Sequence, residues 1–290
     1  MPGIQEVGST GAGRWARVCL YNYPGTRKTS LIGDGTAGKV LIIRSPMDNI
    51  PARILKNKNV QEWVVSTWEE MSGDSDSVLQ YMQHEGHEWD WIWVDCFSIM
   101  QDVLLDDVWA ATVADKPHRA ALTPAGGMAQ GEYWRNAERL QQFIRHAFGS
   151  SGFHFGITCH LDEGDHPDNP EITVLRPFIH VRGMVQKICG YMNVVGYLQL
   201  KEDDKDVPYS RLNVRESPHW YAKDLYDAFP KGYIDNPTLG EFTAAIEAAY
   251  KGTAPKPRSS RRKTASAPRR GTGQRPKKTA TAGRRRGREQ

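Results

Sequence analysis

Apolar residues come in two rhythms along this chain. Short runs that are apolar on both faces, at 16–22, 39–45, 63–66, 89–95, 153–160 and 194–200, read as buried strands. Longer stretches with apolar positions three and four apart, at 68–83, 97–111, 132–148 and 181–190, read as helices. A strand that buries both faces needs cover on both sides. The alternation therefore predicts an α/β fold, a mostly parallel sheet flanked by helices. The last element is sharply marked. Thr238 followed by Glu241 makes a capping box, and Phe242, Ala245, Ile246, Ala249 and Tyr250 form one apolar stripe that Lys251-Gly252 ends.

Composition divides the chain unevenly. Residues 251–290 hold 15 of the 38 Lys and Arg but only one of the 34 acids (Glu289), a balance of +14. The remainder, with 23 basic and 33 acidic residues, stands at −10, so the net +4 describes neither part. From 253 onward no aromatic or branched aliphatic residue occurs, and such a segment cannot offset its ordering entropy by burial. These features predict a flexible leader over 1–13, a globular domain over 14–250 and a disordered basic tail over 251–290. Phosphate contacts made by the tail would be blind to base sequence and sensitive to salt.

Other features narrow the class. No run of eighteen apolar residues is present, and the first residues lack a basic segment followed by an apolar one, so neither a membrane span nor a secretory signal is expected. Four cysteines (19, 96, 159, 189) lie without paired spacing, three of them in strand-like runs, which suits small buried hydrophobes in a reducing cytoplasm.

The densest chemistry lies at Asn22-Tyr23-Pro24-Gly25-Thr26-Arg27-Lys28-Thr29-Ser30, between a strand and a helix start. A strand, a tight turn and a helix start aim N–H groups at one point, where a phosphate sits. Lys28 would reach the outer phosphates and the Thr29 hydroxyl would hold Mg²⁺. The pattern G-x-x-x-x-G-K-[ST] has Asn22 and Arg27 at its two glycine positions here. Arg27 would be awkward if its φ were positive, although its guanidinium adds a phosphate contact. A second apolar run, Trp91-Ile92-Trp93-Val94, ends on Asp95, where a carboxylate orients a metal's water shell or else caps the next helix. In a parallel sheet ligands bind beyond the carboxyl ends of the strands, and Lys28, Asp48, Asp95 and His160 all fall there. The run Cys159-His160-Leu161-Asp162-Glu163-Gly164-Asp165-His166 has metal-ligand residue types without regular ligand spacing, which a strand followed by an acidic loop explains.

Together these stretches resemble the RecA-like P-loop ATPases that phages encode for single-strand annealing and recombination, relatives of the RadA-type branch. The likeness spans about 16–248. It rests on the loop at 22–30, Trp93-Val94-Asp95-Cys96-Phe97-Ser98, Ile157-Thr158-Cys159-His160 and Tyr221-Ala222-Lys223-Asp224-Leu225-Tyr226. The resemblance implies a RecA-like P-loop core that binds ATP and Mg²⁺. Lys28 and Thr29 would lie on phosphate and metal, Asp95 in the metal's outer shell, and His160 on the γ-phosphate. Asp48 is the general-base candidate, and Lys223 would act on a neighbouring subunit's nucleotide. It further implies single-stranded DNA as partner, a homo-oligomeric ring or filament, a single-strand-binding protein as a further partner, and a place in the host cytoplasm if the protein is phage-encoded. The segments 112–131 (Lys116, His118, Arg119, Gly126-Gly127) and 161–183 (Arg176, His180, Arg182) are the expected DNA-facing loops. Leu225 stands where the family has an Arg, and with Arg27 and Asn22 this favours binding over fast hydrolysis. The alternative is a nucleotide-binding scaffold without turnover.

Overall fold

In the computed structural model, the described residues are 15–85, 88–121, 130–149, 152–166 and 169–253. All belong to the unit Met1–Pro257. The leader, the Gly126-Gly127 pair and nearly all of the basic tail lie outside them.

Six strands run parallel in the order β8-β1-β5-β4-β2-β3. They are β1 (Arg17–Tyr21), β2 (Val40–Arg44), β3 (Val60–Val64), β4 (Trp91–Val94), β5 (His154–Cys159) and β8 (Val194–Glu202). Antiparallel strands extend the β8 edge: β9 (Pro208–Asn213) pairs with β8, β11 (Tyr233–Asp235) pairs with β9, and the short β10 (Lys223–Asp224) pairs with the start of β8. Every residue of β1, β4 and β5 is buried, as strands covered on both faces must be.

Period-two alternation sends the strand residues into two apolar layers. Cys19, Tyr21, Ile43, Val94, Phe155 and Ile157 face α3 (Trp68–Ser72), α4 (Val78–His84), α5 (Phe97–Asp115), α6 (Gln130–Gly149) and α7 (Arg182–Tyr191). Val18, Leu20, Ile42, Trp91 and Trp93 face α1 (Lys28–Ile32), α2 (Ala52–Leu55) and α8 (Leu239–Tyr250). The molecule is thus a mixed α/β fold, a large, mostly parallel sheet flanked by helices. All four cysteines are free and buried. Among the described residues no helix is long and apolar enough to cross a membrane.

Three expectations need correction. The helix foreseen at 68–83 is two helices, because Gly73-Asp74-Ser75-Asp76 turns between them and Asp76 takes φ 52. The strand foreseen at 63–66 is β3, several residues earlier, in register with β2. The segment foreseen as a loop at 161–183 is largely a separate two-stranded ribbon, β6 (Leu161–His166) and β7 (Asn169–Pro177), and its end opens α7.

Candidate functional site

The site grows from the carboxyl ends of β1, β4 and β5. Beyond β1 the chain turns through Asn22-Tyr23-Pro24-Gly25-Thr26-Arg27 into α1. Asn22, where the motif has glycine, is buried and pins the loop: its amide donates to Leu198 O of β8, and its Oδ1 accepts from Tyr23 N at 2.6 Å. The Thr26 hydroxyl donates to Tyr23 O at 2.9 Å. Gly25 (φ 84) and Arg27 (φ 69) both hold left-handed backbone, which glycine adopts freely and arginine does not. The conformation foreseen as awkward at Arg27 is the one present.

Lys28 is the buried cation of this turn. Its Nζ donates to Asn22 O at 2.8 Å and to Tyr23 O at 2.9 Å. Burial lowers its pKa below the ordinary lysine value, against an opposing pull from Cys96 and Asp95. The Asp95 side chain lies within the electrostatic reach of Lys28, so the amine and the acid are neighbours at this rim. Asp95 is itself 5% exposed. Burial raises its pKa above the usual carboxylate range, although hydroxyl donors from Thr158 and Thr29, with Lys28 and His160, pull it down. The peptide bond between Asp95 and Cys96 is cis.

Asp48 and His160 complete the group. Asp48 follows β2, accepts from Cys96 N at 3.0 Å and feels the charge of Asp95. Burial raises its pKa to about 6, with Asp95 adding to the rise and the Cys96 N–H and Arg44 opposing it. Half-buried His160 follows β5. Burial and then Lys28 hold its pKa below 6.5, so the neutral imidazole is favoured. Thus Lys28, Thr29, Asp48, Asp95 and His160 meet at one rim of the sheet.

Lys223 does not. It pairs with Val195 at the start of β8, the opposite rim, and its Nζ donates to Gly190 O at 3.1 Å and Cys189 O at 3.4 Å at the end of α7. Any contact with a nucleotide would have to be made to another copy of the chain.

Residues not foreseen link this rim to its surroundings. Thr158, two positions before His160 and so on the same strand face, bridges to Asp95. Ser98 and Gln101, three apart on α5, tie the site to the segment that precedes α7. Ser98 Oγ accepts from His160 N and donates to Phe178 O, both at 2.9 Å. Gln101 donates to Phe178 O at 3.3 Å and accepts from His180 N at 3.0 Å. His180 Nε2 meets Asp102 at 2.8 Å, while its buried Nδ1 has no partner. Beside it opens a cleft of about 580 Å³ lined by Tyr133, Trp134, His180 and Arg182.

Among the described residues no group of three or more His, Cys, Asp or Glu side chains could hold a metal by itself. A magnesium ion needs no such group, since it keeps several waters and is bound through substrate phosphates and one or two protein oxygens. Thr29 and Asp95, joined by a hydrogen bond at the foot of the loop, fit that role.

No protein-family model matches this chain, and no curated protein does. Among solved structures, flagellar accessory protein FlaH from Methanocaldococcus jannaschii is similar, at a TM-score of 0.38 and 10% identity over 78% of this chain and 87% of that one. The likeness is too slight to carry an activity or a partner from one protein to the other.

Proposed function

We propose that this protein binds a nucleoside triphosphate, ATP with Mg²⁺, at the turn 22–30, on a RecA-like P-loop core. The observation that carries this reading is the grouping of Lys28, Thr29 and Asp95 at the carboxyl rim of the sheet, with Lys28 bonded to the loop carbonyls and Thr158 to Asp95. On binding, Lys28 exchanges the carbonyls of Asn22 and Tyr23 for phosphate oxygens, contacts it already makes to neutral acceptors. Thr29 and Asp95 would hold the metal and its water. Asp48, with a pKa of about 6, is an acceptor at neutral pH and suits the role of base toward an attacking water. Neutral His160 donates or accepts at the phosphate end, and its backbone tie to Ser98 passes any shift toward Phe178 and His180.

The partner reading is single-stranded DNA, engaged by an oligomer acting in annealing or recombination. The cleft beside His180 favours it, because Trp134 is 38% exposed and stands with Tyr133 and Arg182, a base-stacking surface beside a cation. The ribbon β6–β7 is a poor phosphate contact, since its outer residues include Asp162, Glu163, Asp165 and Glu171 and Arg176 is paired with Asp162. Arg119 is likewise committed, to Glu132 at 2.8 Å. A scaffold that binds nucleotide without turnover is favoured by Arg27, with its left-handed backbone, in the glycine position. Phosphate release measured with and without single-stranded DNA separates the two. Turnover that DNA raises and Lys28→Ala abolishes supports the ATPase. Binding without turnover supports the scaffold, and absence of both defeats the nucleotide reading.

A further inference from the structure

Asn22 stands where the phosphate-loop pattern has a glycine, and a glycine could make none of its side-chain contacts. β1 pairs with β8 as far as Tyr21 and Tyr197, and with β5 as far as Tyr21 and Cys159. One residue further the chain leaves the sheet, and Asn22 keeps hold of both neighbours there. Its main-chain N–H donates to Cys159 O of β5 at 3.3 Å, and its side-chain amide donates to Leu198 O of β8. The side chain thus prolongs by one step a ladder that the backbone no longer makes.

The same side chain sets the floor of the turn. Its Oδ1 accepts from Tyr23 N at 2.6 Å. Both ends of the amide are therefore matched, and turning it over would set donor against donor and acceptor against acceptor. The N–H of Tyr23 and the C=O of Asn22 belong to one peptide plane, so the bond from Oδ1 orients that carbonyl as well. Lys28 Nζ donates to this carbonyl at 2.8 Å and to Tyr23 O at 2.9 Å. Asn22 is 4% exposed and Lys28 6%, so the whole chain of contacts is shielded from water.

Resting on the nucleotide reading above, we propose that Asn22 is a positioning residue of the phosphate site. Tied to β8, its side chain fixes the peptide between residues 22 and 23, and that peptide fixes where Lys28 presents its amine. A lysine left to itself has a long, freely rotating stem, and ordering it in advance lowers the cost of binding. The departure from the glycine pattern is then part of how this chain builds its turn. Restoring the glycine should weaken the site.

The test uses the full chain and two variants, Asn22→Gly and Asn22→Ala. The second removes the side chain without giving the backbone the freedom of glycine. Brief labelling with acetic anhydride in the absence of nucleotide, read by mass spectrometry, reports how closely the Lys28 amine is held. Lys223 is the internal reference, because its Nζ also donates to two carbonyls, on the far rim. Both variants should label Lys28 about fivefold or more faster than wild type, the order of one hydrogen bond's contribution. Lys223 should label at the wild-type rate. Isothermal titration with Mg·ATP should show both variants binding more weakly by a similar factor. Unchanged labelling of Lys28, an equal rise at Lys223, a rise confined to Asn22→Gly, or ATP affinity at or above that of wild type overturns the positioning role. Faster labelling of Lys28 alone in both variants, together with no ATP binding by wild type, upholds the hold of Asn22 on Lys28 and defeats the nucleotide reading.

Discussion

Asp48 has a carboxyl pKa raised from 3.8 to about 6, chiefly by burial, with Asp95 close by. Its proton is therefore held more tightly in the native state than in the unfolded chain across that interval. A native state that binds more protons loses stability as pH rises, so this group's contribution is greatest below its unfolded pKa and declines up to about 6. Asp48→Asn removes the decline. Thermal melts of wild type and variant should diverge in favour of the variant as pH rises from about 4 to about 7. A difference that does not change with pH would refute the assigned burial. If Asp48 is also the base, the same variant should keep nucleotide binding and lose turnover.

At the scale of elements, the buried strands fix where the site lies, and their packing leaves little room. Gly156 on β5 has Trp93 against it: a Cβ there would stand 2.2 Å from the indole ring. Trp93 is fully buried and stacked on Trp91 with ring centroids 5.0 Å apart, so it cannot swing away. Gly156→Ala should cost about 1–3 kcal/mol, the usual penalty of overpacking. Urea denaturation would register this as a lower midpoint, and an unchanged midpoint would contradict the packing. Strands of this kind are legible in sequence because their apolar runs admit no other environment. Thr238 and Glu241 were legible for a similar reason, and they form the capping box that starts α8. The ribbon β6–β7 was not, since β6 is polar after Leu161 and β7 offers only Ile172-Thr173-Val174 as a short alternation between prolines. The Gly-Asp-Ser-Asp break between α3 and α4 did have a signal in its turn formers, but helical spacing on both sides masked it.

At the scale of the whole molecule, the parallel sheet collects residues from four separate strand ends onto one rim. The motif made Lys28 and Asp95 legible as a pair, and the carboxyl-end rule did the same for Asp48 and His160. Thr158, Ser98 and Gln101 escaped notice because a lone hydroxyl or amide has no sequence pattern of its own. The position of Lys223 on the far rim follows from β10 pairing with the first residues of β8, which a two-residue strand does not announce. Charge operates at this scale too. If single-stranded DNA is the partner, anisotropy titrations should show affinity falling steeply with salt, and deletion of 253–290, with its excess of basic residues, should flatten that slope. Binding indifferent to salt would count against the DNA reading.

The central claim is that Lys28, Thr29 and Asp95 hold a triphosphate and its metal in one pocket. Manganese in place of magnesium makes this visible, since the paramagnetic resonance signal of free Mn²⁺ falls as the ion is taken up by the protein. With ATP at a concentration too low to retain the ion alone, wild type should take up one Mn²⁺, Asp95→Asn should take it up more weakly, and Lys28→Ala should take up none. Uptake in Lys28→Ala equal to that of wild type, or no ATP-dependent uptake by wild type, would contradict the shared site.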